Sequence, residues 1–231
     1  MKKWFVVDSG VAPIYHKHSF KSECLTESVY GESCLILRVH KNWYQIKSED
    51  GYEGWVNSFY GSRKLEKNKN SNFITSPKSN GHFSAKFPFG AIVCDQINGS
   101  TKIPSFVNND LIIKIAKRLI GVPYKWGGKS SLGFDCSGFV QSVLKVCGLK
   151  IPRDSSQQLN YFKKNEISLH QALPGDLHFF GKQGRISHVG FSLGESKILH
   201  AYGEIRIDDI KNNKILSGIY LSSYSIKRKL S

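Results

Sequence analysis

No run of apolar residues in this sequence approaches the length of a membrane span, so an integral membrane segment is not expected. The first residues, Met1-Lys2-Lys3-Trp4-Phe5-Val6-Val7, start like a secretory leader. They meet Asp8 after only four apolar residues, too few for a leader's apolar stretch. A soluble, cytoplasmic protein is therefore the expectation. Paired cysteine motifs are also missing. The five cysteines (Cys24, Cys34, Cys94, Cys136, Cys147) are odd in number and irregularly spaced, and no C-x-x-C occurs. That argues against a disulfide framework and a structural zinc site, and it fits a reducing compartment. No metal and no cofactor are expected. Acidic residues are scarce: 18 Asp and Glu stand against 33 Lys and Arg, a net charge of +15. A nucleic-acid partner is not expected, because no helix-turn-helix pattern, arginine-rich helix or zinc finger accompanies the charge. The lysines are scattered apart from the group Arg63, Lys64, Lys67 and Lys69. An acidic small substrate, an anionic polymer or a solvated surface accounts for them equally well.

The chain has 231 residues, 40% hydrophobic and 22% charged, which suits a core-forming domain of ordinary size plus a smaller one. The opening sixty or so residues read as all-β. Leu35-Ile36-Leu37-Arg38-Val39 and Trp43-Tyr44-Gln45-Ile46 are strand-like, and Ser48-Glu49-Asp50-Gly51 is a turn signal before Gly54-Trp55-Val56. Residues 1–62 are assigned to a small β-barrel. The charged stretch 62–72 reads as a linker. Residues 73–107, with short apolar pieces such as Phe87-Pro88-Phe89-Gly90-Ala91-Ile92-Val93, fit either a second, reduced barrel or an extended connector. The texture changes at Asn109. Asp110 is placed to cap a helix bearing Leu111, Ile112, Ile115, Ala116 and Leu119 on one face, ended by Gly121 and Pro123. A second helix carries Phe139, Val140, Val143, Leu144 and Cys147 up to Gly148. Strands follow at Leu177–Phe180, His188–Leu193 and Lys197–Tyr202. Helices first and antiparallel strands after is an α+β order for 108–231.

Chemistry concentrates at Phe134-Asp135-Cys136-Ser137-Gly138-Phe139-Val140. Asp135 is placed to cap the helix, which puts Cys136 in its first turn. There unpaired N–H groups and the positive end of the helix favour a thiolate. Ser137 and Gly138 are small enough to let a substrate carbonyl approach, with the Cys136 N–H as an oxyanion donor. Cys147, on the apolar face, reads as a structural thiol instead. A nucleophilic thiol needs a base and the base needs an orienting partner. His188 opens a strand after Gly184-Arg185-Ile186-Ser187, and His200 lies on the next. For the two to share a face, the numbers of paired residues must have an even sum, for example with His188 opposite Tyr202 and His200 opposite Gly190, which a three-residue loop near Gly194-Glu195-Ser196, or a bulge, provides. Of the other histidines (His16, His18, His40, His82, His170, His178), only His178 lies in a comparable strand.

The phrases Tyr124-Lys125-Trp126-Gly127-Gly128, Phe134-Asp135-Cys136-Ser137-Gly138, Pro152-Arg153-Asp154-Ser155, Leu173-Pro174-Gly175-Asp176-Leu177, Ser187-His188-Val189-Gly190 and Leu199-His200-Ala201 resemble, in order, those of the NlpC-type bacterial cell-wall cysteine peptidases. Tyr30-Gly31-Glu32, Trp43-Tyr44-Gln45-Ile46 and Gly51-Tyr52-Glu53-Gly54-Trp55-Val56 resemble a bacterial SH3-like domain. The resemblance implies a papain-like core that hydrolyses the bond between γ-D-glutamate and the diamino acid of peptidoglycan stem peptides. It implies Cys136 as nucleophile, His188 as base, His200 as orienting residue and Tyr124 beside the nucleophile. His178 departs mildly from the pattern, standing where an apolar residue is commoner. A subgroup with SH3-like domains ahead of the peptidase trims free wall peptides. By that likeness Trp126, Asp135, Ser137, Asp154 and Ser155 would contact the peptide, and Glu23 and Tyr60 are the guesses for the wall of the cleft. Asp135 and Asp154 would then welcome a free N-terminal amine. The competing functions are a hydrolase or amidase acting on intact wall, and an inactive SH3-like wall-binding protein. The oligomeric state is not legible.

Overall fold

The computed structural model describes residues 3–69, 72–76, 83–94, 97–183, 185–215 and 218–226. Asn70 and Ser71 of the expected linker, His82 and Gly184 lie outside them. The chain divides into two compact units. One holds the residues up to Ile103 together with Trp126–Leu132; the other holds Pro104–Lys125 and the residues from Gly133 on. The division after Ile103 falls four residues before the expected boundary, and the grouping of Trp126–Leu132 with the N-terminal unit was not expected.

The N-terminal unit begins with seven strands: β1 (Trp4–Val7), β2 (Val11–Tyr15), β3 (Cys24–Val29), β4 (Ser33–His40), β5 (Trp43–Lys47), β6 (Glu53–Asn57) and β7 (Gly61–Lys64). They pair in the order β3-β2-β6-β5-β4-β1-β7. Alternate residues point inward, as the period of a strand requires. Phe5 and Val7 of β1, Ala12 and Ile14 of β2, Cys34, Ile46 and Val56 make one core. The β5–β6 turn falls where expected: the Gly51 N–H donates to the Ser48 carbonyl at 3.0 Å, with Gly51 at φ +86°. Gly54 has a steric reason, since a Cβ there would come within 2.5 Å of Ile14 Cγ2. Residues 73–107 contribute to a small sheet of β8 (Asn72–Ile74), β9 (Ile92–Val93) and β10 (Ser100–Lys102), ordered β10-β8-β9 around Ile74, Ala91 and Val93.

The short strand β11 (Lys129–Ser130) completes this unit. Lys129 is buried, and a buried ammonium must find carboxylates because desolvation costs several kcal/mol. Its Nζ lies 3.4 Å from Asp50 Oδ2 and 3.9 Å from Glu32 Oε1, and its main-chain N–H donates to Glu27 Oε2 at 3.3 Å. Removing the cation leaves buried carboxylates facing one another. Lys129→Met should therefore lower the stability of the N-terminal unit by about 3–5 kcal/mol. Urea titration followed by tryptophan fluorescence checks this; an unchanged midpoint contradicts it.

The second unit places its helices ahead of its main sheet. Helix α1 (Asn109–Lys117) buries Ile112, Ile113, Ile115 and Ala116. Its cap is Asn108, whose Oδ1 accepts the Asp110 N–H at 2.7 Å, so Asp110 sits in the first turn and is not the cap expected of it. After β12 (Gly133–Phe134), helix α2 spans Cys136–Val146 and α3 spans Ser155–Phe162. The remaining strands are β13 (Glu166–Ile167), β14 (Leu177–Lys182), β15 (Arg185–Gly194), β16 (Lys197–Tyr202), β17 (Glu204–Asp209), β18 (Lys214–Ile215) and β19 (Gly218–Tyr224). They form an antiparallel sheet in the order β13-β19-β14-β15-β16-β17, with β18 on β19. Phe139 of α2 packs edge-on against Phe191 of β15, with ring centroids 5.5 Å apart.

The β15–β16 register fixes the histidines. Phe191 pairs with Leu199 and Ser192 with Ile198, and continuing that register puts His200 opposite Gly190. His188 and His200 thus share a face, as required. Of the two connections expected, a three-residue loop or a bulge, the structure has the bulge. Gly194 pairs with Lys197 across a two-residue turn, Glu195 and Ser196 at φ 50° and 58°, and Leu193 is the extra residue of a bulge. The bulge restores the parity that a two-residue turn alone would have broken.

Candidate active site

Helix α2 starts where the sequence places its cap. Asp135 Oδ1 accepts the Gly138 N–H at 2.6 Å. The same carboxylate is gripped by Arg153, Nη1 to Oδ1 at 3.0 Å and Nη2 to Oδ2 at 2.5 Å. Ser137 Oγ donates to Asp135 Oδ1 at 3.2 Å and accepts from Arg153 Nη1 at 2.9 Å. Gln158 of α3 donates to the carbonyls of Ser137 and Pro152, each at 3.0 Å. The nucleophile's helix start is therefore tied to the 152–158 segment by a buried ionic and amide network. Arg153 and Gln158 were not singled out in the sequence, although Arg153 stood in a quoted phrase. Asp135 and Ser137, expected to contact substrate, are committed to this network: both oxygens of Asp135 already accept charged or main-chain donors.

One cleft of about 390 Å3 is lined by Tyr124, Cys136, Lys182, Ser187, His188, Ala201, Tyr202 and Gly203. It brings together three of the expected residues, Cys136, His188 and Tyr124. His200, fully buried behind them, completes the set: its Nδ1 lies 2.7 Å from His188 Nε2 with the rings nearly perpendicular. Since Nε2 of His188 faces His200, Nδ1 is the atom left for a proton from the thiol. Gly190 matters here, because a Cβ on it would sit 2.7 Å from the His200 Cβ. His200 is not the end of the chain of contacts. Its Nε2 lies 3.1 Å from Asp208 Oδ2, and Asp208 Oδ1 accepts from Arg206 Nε at 2.9 Å. Asp208 was missed. The only sequence signal was alternation along β17, which puts Arg206 and Asp208 on one face.

Asp154 and Ser155, half-buried, open α3, and the Asp154 side chain makes no capping hydrogen bond. Trp126, Glu23 and Tyr60 belong to the N-terminal unit. Trp126 is 67% exposed and Glu23 is exposed; Tyr60 packs against the barrel core and Phe59.

Electrostatics depart from the thiolate expected at a helix start. Burial pushes the Cys136 thiol up to about 12, and the Asp135 charge adds to the rise. Main-chain hydrogen bonds involving Val189 and Ser137, and the Arg153 charge, pull the other way without overcoming it. Burial, and then the neighbouring His200, lower His188 to about 3. His200 is lowered by burial against the opposing pull of Asp208. Tyr124 is raised to about 12, chiefly by desolvation and then by Cys136. Burial thus opposes charge on the thiol and on the imidazole taken singly, which leaves proton transfer between them as the route to the nucleophile. Such a pair ionises as the proton passes from sulfur to nitrogen during attack, with His188 as general base.

Buried neutral histidines make the fold acid-sensitive. His178, bonded through Nδ1 to Ser223 Oγ at 2.6 Å, is lowered by burial to about 4, and His188 to about 3. The unfolded chain protonates these groups near pH 6.5 and the folded chain does not. Their stabilisation is complete above pH 6.5 and is lost as pH falls toward the folded values, by about 1.4 kcal/mol per pH unit per histidine. Stability measured between pH 6.5 and 5, above the carboxylate range, should fall with that sense, and His178→Gln should flatten the slope. A pH-independent stability across this window contradicts the assignment.

Residues 121–221 match the family model described as NlpC/P60 family, and residues 14–58 match that described as bacterial dipeptidyl-peptidase Sh3 domain. The chain is 29% identical over 217 residues to a gamma-D-glutamyl-L-lysine dipeptidyl-peptidase of Bacillus subtilis (strain 168), covering 76% of this chain and 71% of that one. It is 36% identical over 104 residues to a protein of the same name from Bacillus cereus (strain ATCC 10987 / NRS 248), covering 43% of this chain and 30% of the relative. The crystal structure of an NlpC/P60 family protein from Bacillus cereus ATCC 10987 aligns with a TM-score of 0.50 at 23% identity, over 97% of this chain and 63% of that one. That likeness is one of fold, α+β and papain-like with SH3-like strands ahead of it. Residues 121–221 of this chain thus resemble the NlpC/P60 family, and the residues ahead of them, 14–58, resemble a bacterial dipeptidyl-peptidase Sh3 domain.

Proposed function

We propose that this protein is a cysteine peptidase that hydrolyses the bond between γ-D-glutamate and the diamino acid of peptidoglycan stem peptides. Its substrates on this proposal are free peptides with an unblocked N-terminal L-alanine. The observation that carries the chemistry is a single cleft lined by the helix-start thiol of Cys136 and the imidazole of His188, whose far nitrogen lies 2.7 Å from His200. The bond and the dipeptide register rest on the printed name of the Bacillus subtilis relative.

In the proposed reaction the Cys136 thiol gives its proton to Nδ1 of His188 as sulfur attacks the γ-carbonyl carbon. The oxyanion is stabilised by the Cys136 N–H at the helix start. The tetrahedral adduct collapses, the His188 imidazolium protonates the departing amine of the diamino acid, and a thioester remains. Water, deprotonated by His188, cleaves the thioester and releases L-Ala-γ-D-Glu. Tyr124, held protonated in the cleft, is placed to donate to the substrate. Recognition of a free amine is assigned to Asp154 by its place in the phrase Pro152-Arg153-Asp154-Ser155, which resembles a substrate-contacting one.

The test is incubation with L-Ala-γ-D-Glu-L-Lys, its diaminopimelate counterpart, their N-acetylated forms and intact cross-linked wall, with mass spectrometry of the products. Release of L-Ala-γ-D-Glu from the free peptides is expected, with N-acetylation lowering efficiency by roughly tenfold or more through loss of a charge-assisted contact. Equal cleavage of both forms moves the protein to the intact-wall class. Cys136→Ala should abolish turnover in a folded protein. Cys147→Ala should retain turnover and lose roughly 1 kcal/mol of stability. Undiminished turnover in Cys136→Ala removes the proposal altogether.

A further inference from the structure

Asp208 ends a line of hydrogen bonds that the peptidase reading follows only as far as His200. Cys136 and His188 line the cleft together, and inward from His188 the order is His200, then Asp208, with Nε2 of His188 2.7 Å from Nδ1 of His200 and Nε2 of His200 3.1 Å from Oδ2 of Asp208. Asp208 is largely buried, while Arg206, two residues away on the same face of β17, is half exposed. The two carboxylate oxygens have different partners. Arg206 donates to Oδ1 from both Nε, at 2.9 Å, and Nη2, at 2.8 Å, which leaves Oδ2 to His200.

We propose that Asp208, held by Arg206, is the positioning residue that fixes the tautomers of both imidazoles and so aims the basic lone pair of His188 at Cys136. The argument is one of donors and acceptors. A carboxylate only accepts, so His200 must carry its proton on Nε2. His200 Nδ1 is then a lone pair, and across 2.7 Å it accepts a proton held on Nε2 of His188. His188 Nδ1 is thereby unprotonated. When the thiol ionises, its proton moves to that Nδ1, no second proton has to move, and the imidazolium stays hydrogen-bonded to His200. The other charged or titratable groups at His200 are Arg206 on β17, His188 on β15 and Tyr202, whose ring stacks on His200 at 6.3 Å. Burial keeps His200 itself neutral, as the relay requires, since a doubly protonated His200 has no acceptor for His188.

Arg206 supplies a discriminating test. In Asp208→Asn the amide oxygen must face the guanidinium, so its NH2 group faces His200 and demands a lone pair on Nε2. The proton of His200 is then driven to Nδ1, and His188 is pushed to the tautomer with its proton on Nδ1, facing the thiol. Removing Arg206 as well lets the amide turn over and present its oxygen to His200 again. The proposal rests on Cys136 and His188 as nucleophile and base, so the readouts include ones that need no peptide. These are the rate of Cys136 alkylation by iodoacetamide, followed by peptide mass mapping, and the histidine tautomers of the wild-type protein by 15N NMR. Both His188 and His200 are expected as Nε2–H tautomers. Asp208→Asn is expected to slow Cys136 alkylation and the kcat for L-Ala-γ-D-Glu-L-Lys by tenfold or more with an unchanged melting temperature. The Arg206→Ala/Asp208→Asn double variant is expected to recover severalfold over the single one. An Nδ1–H tautomer at either histidine in the wild type, an Asp208→Asn alkylation rate within twofold of wild type, or a double variant no faster than the single one each overturns the proposal. Because the alkylation and NMR readouts are independent of the peptide, a failure to cleave the tripeptide overturns the substrate assignment alone.

Discussion

Arg153 and Asp135 meet as a buried two-point ion pair at the start of α2, and the geometry of the cleft follows from it. The carboxylate caps the helix through the Gly138 N–H, orders Ser137, and, through Arg153, draws in the connection from α2 to α3 that leads to Asp154 and Ser155. Gln158 closes the loop by donating to the Ser137 carbonyl. A pair of this kind adds little net stability compared with apolar residues of the same shape, but losing one partner strands a buried charge, which costs about 3–5 kcal/mol. Its value lies in position: a helix start held from two sides has a defined first turn, and the thiol of Cys136 sits in that turn.

The second constraint is the register of β15 against β16. Strand side chains alternate, so a slip of one residue would carry one histidine to the opposite face. The bulge at Leu193 and the left-handed turn at Glu195 and Ser196 set the parity. Gly190 then leaves the space that the His200 side chain occupies. Burial and register act together. The sheet encloses the imidazoles, and desolvation opposes charge on them and on the thiol. A site of this type depends on the direction of its lone pairs, since the proton of the thiol must meet the unprotonated nitrogen of the base.

The N-terminal unit follows the same rule with opposite signs. Its core is an ordinary alternation of Phe5, Val7, Ala12, Ile14, Ile46 and Val56, yet a buried ionic centre is formed around Lys129, a residue distant in sequence from the strands that receive it. The segment Trp126–Leu132 lies between two motifs of the peptidase domain and groups with the barrel's unit.

The sequence by itself determined the order of the two domains, the α+β class, the capped helix start at Cys136 and the pairing of His188 with His200. Each of those is written in local chemistry: a cap before an apolar helix, small residues after a cysteine, alternation along a strand. It also located the β5–β6 turn, because Asp50-Gly51 has few other conformations open to it. It misassigned the cap of α1 to Asp110, since neighbouring Asn and Asp residues offer equivalent caps and only the path of the chain selects one. The charge states could not be read from composition. The helix start does act on the thiol in the expected sense, but burial outweighs it, and burial is decided by how α2 packs on the sheet. Arg153, Lys129 and Asp208 were equally hidden. A charged side chain looks like solvated surface in a sequence, and only the folded chain, by removing water from around it and supplying its partner, makes it part of the site or the core.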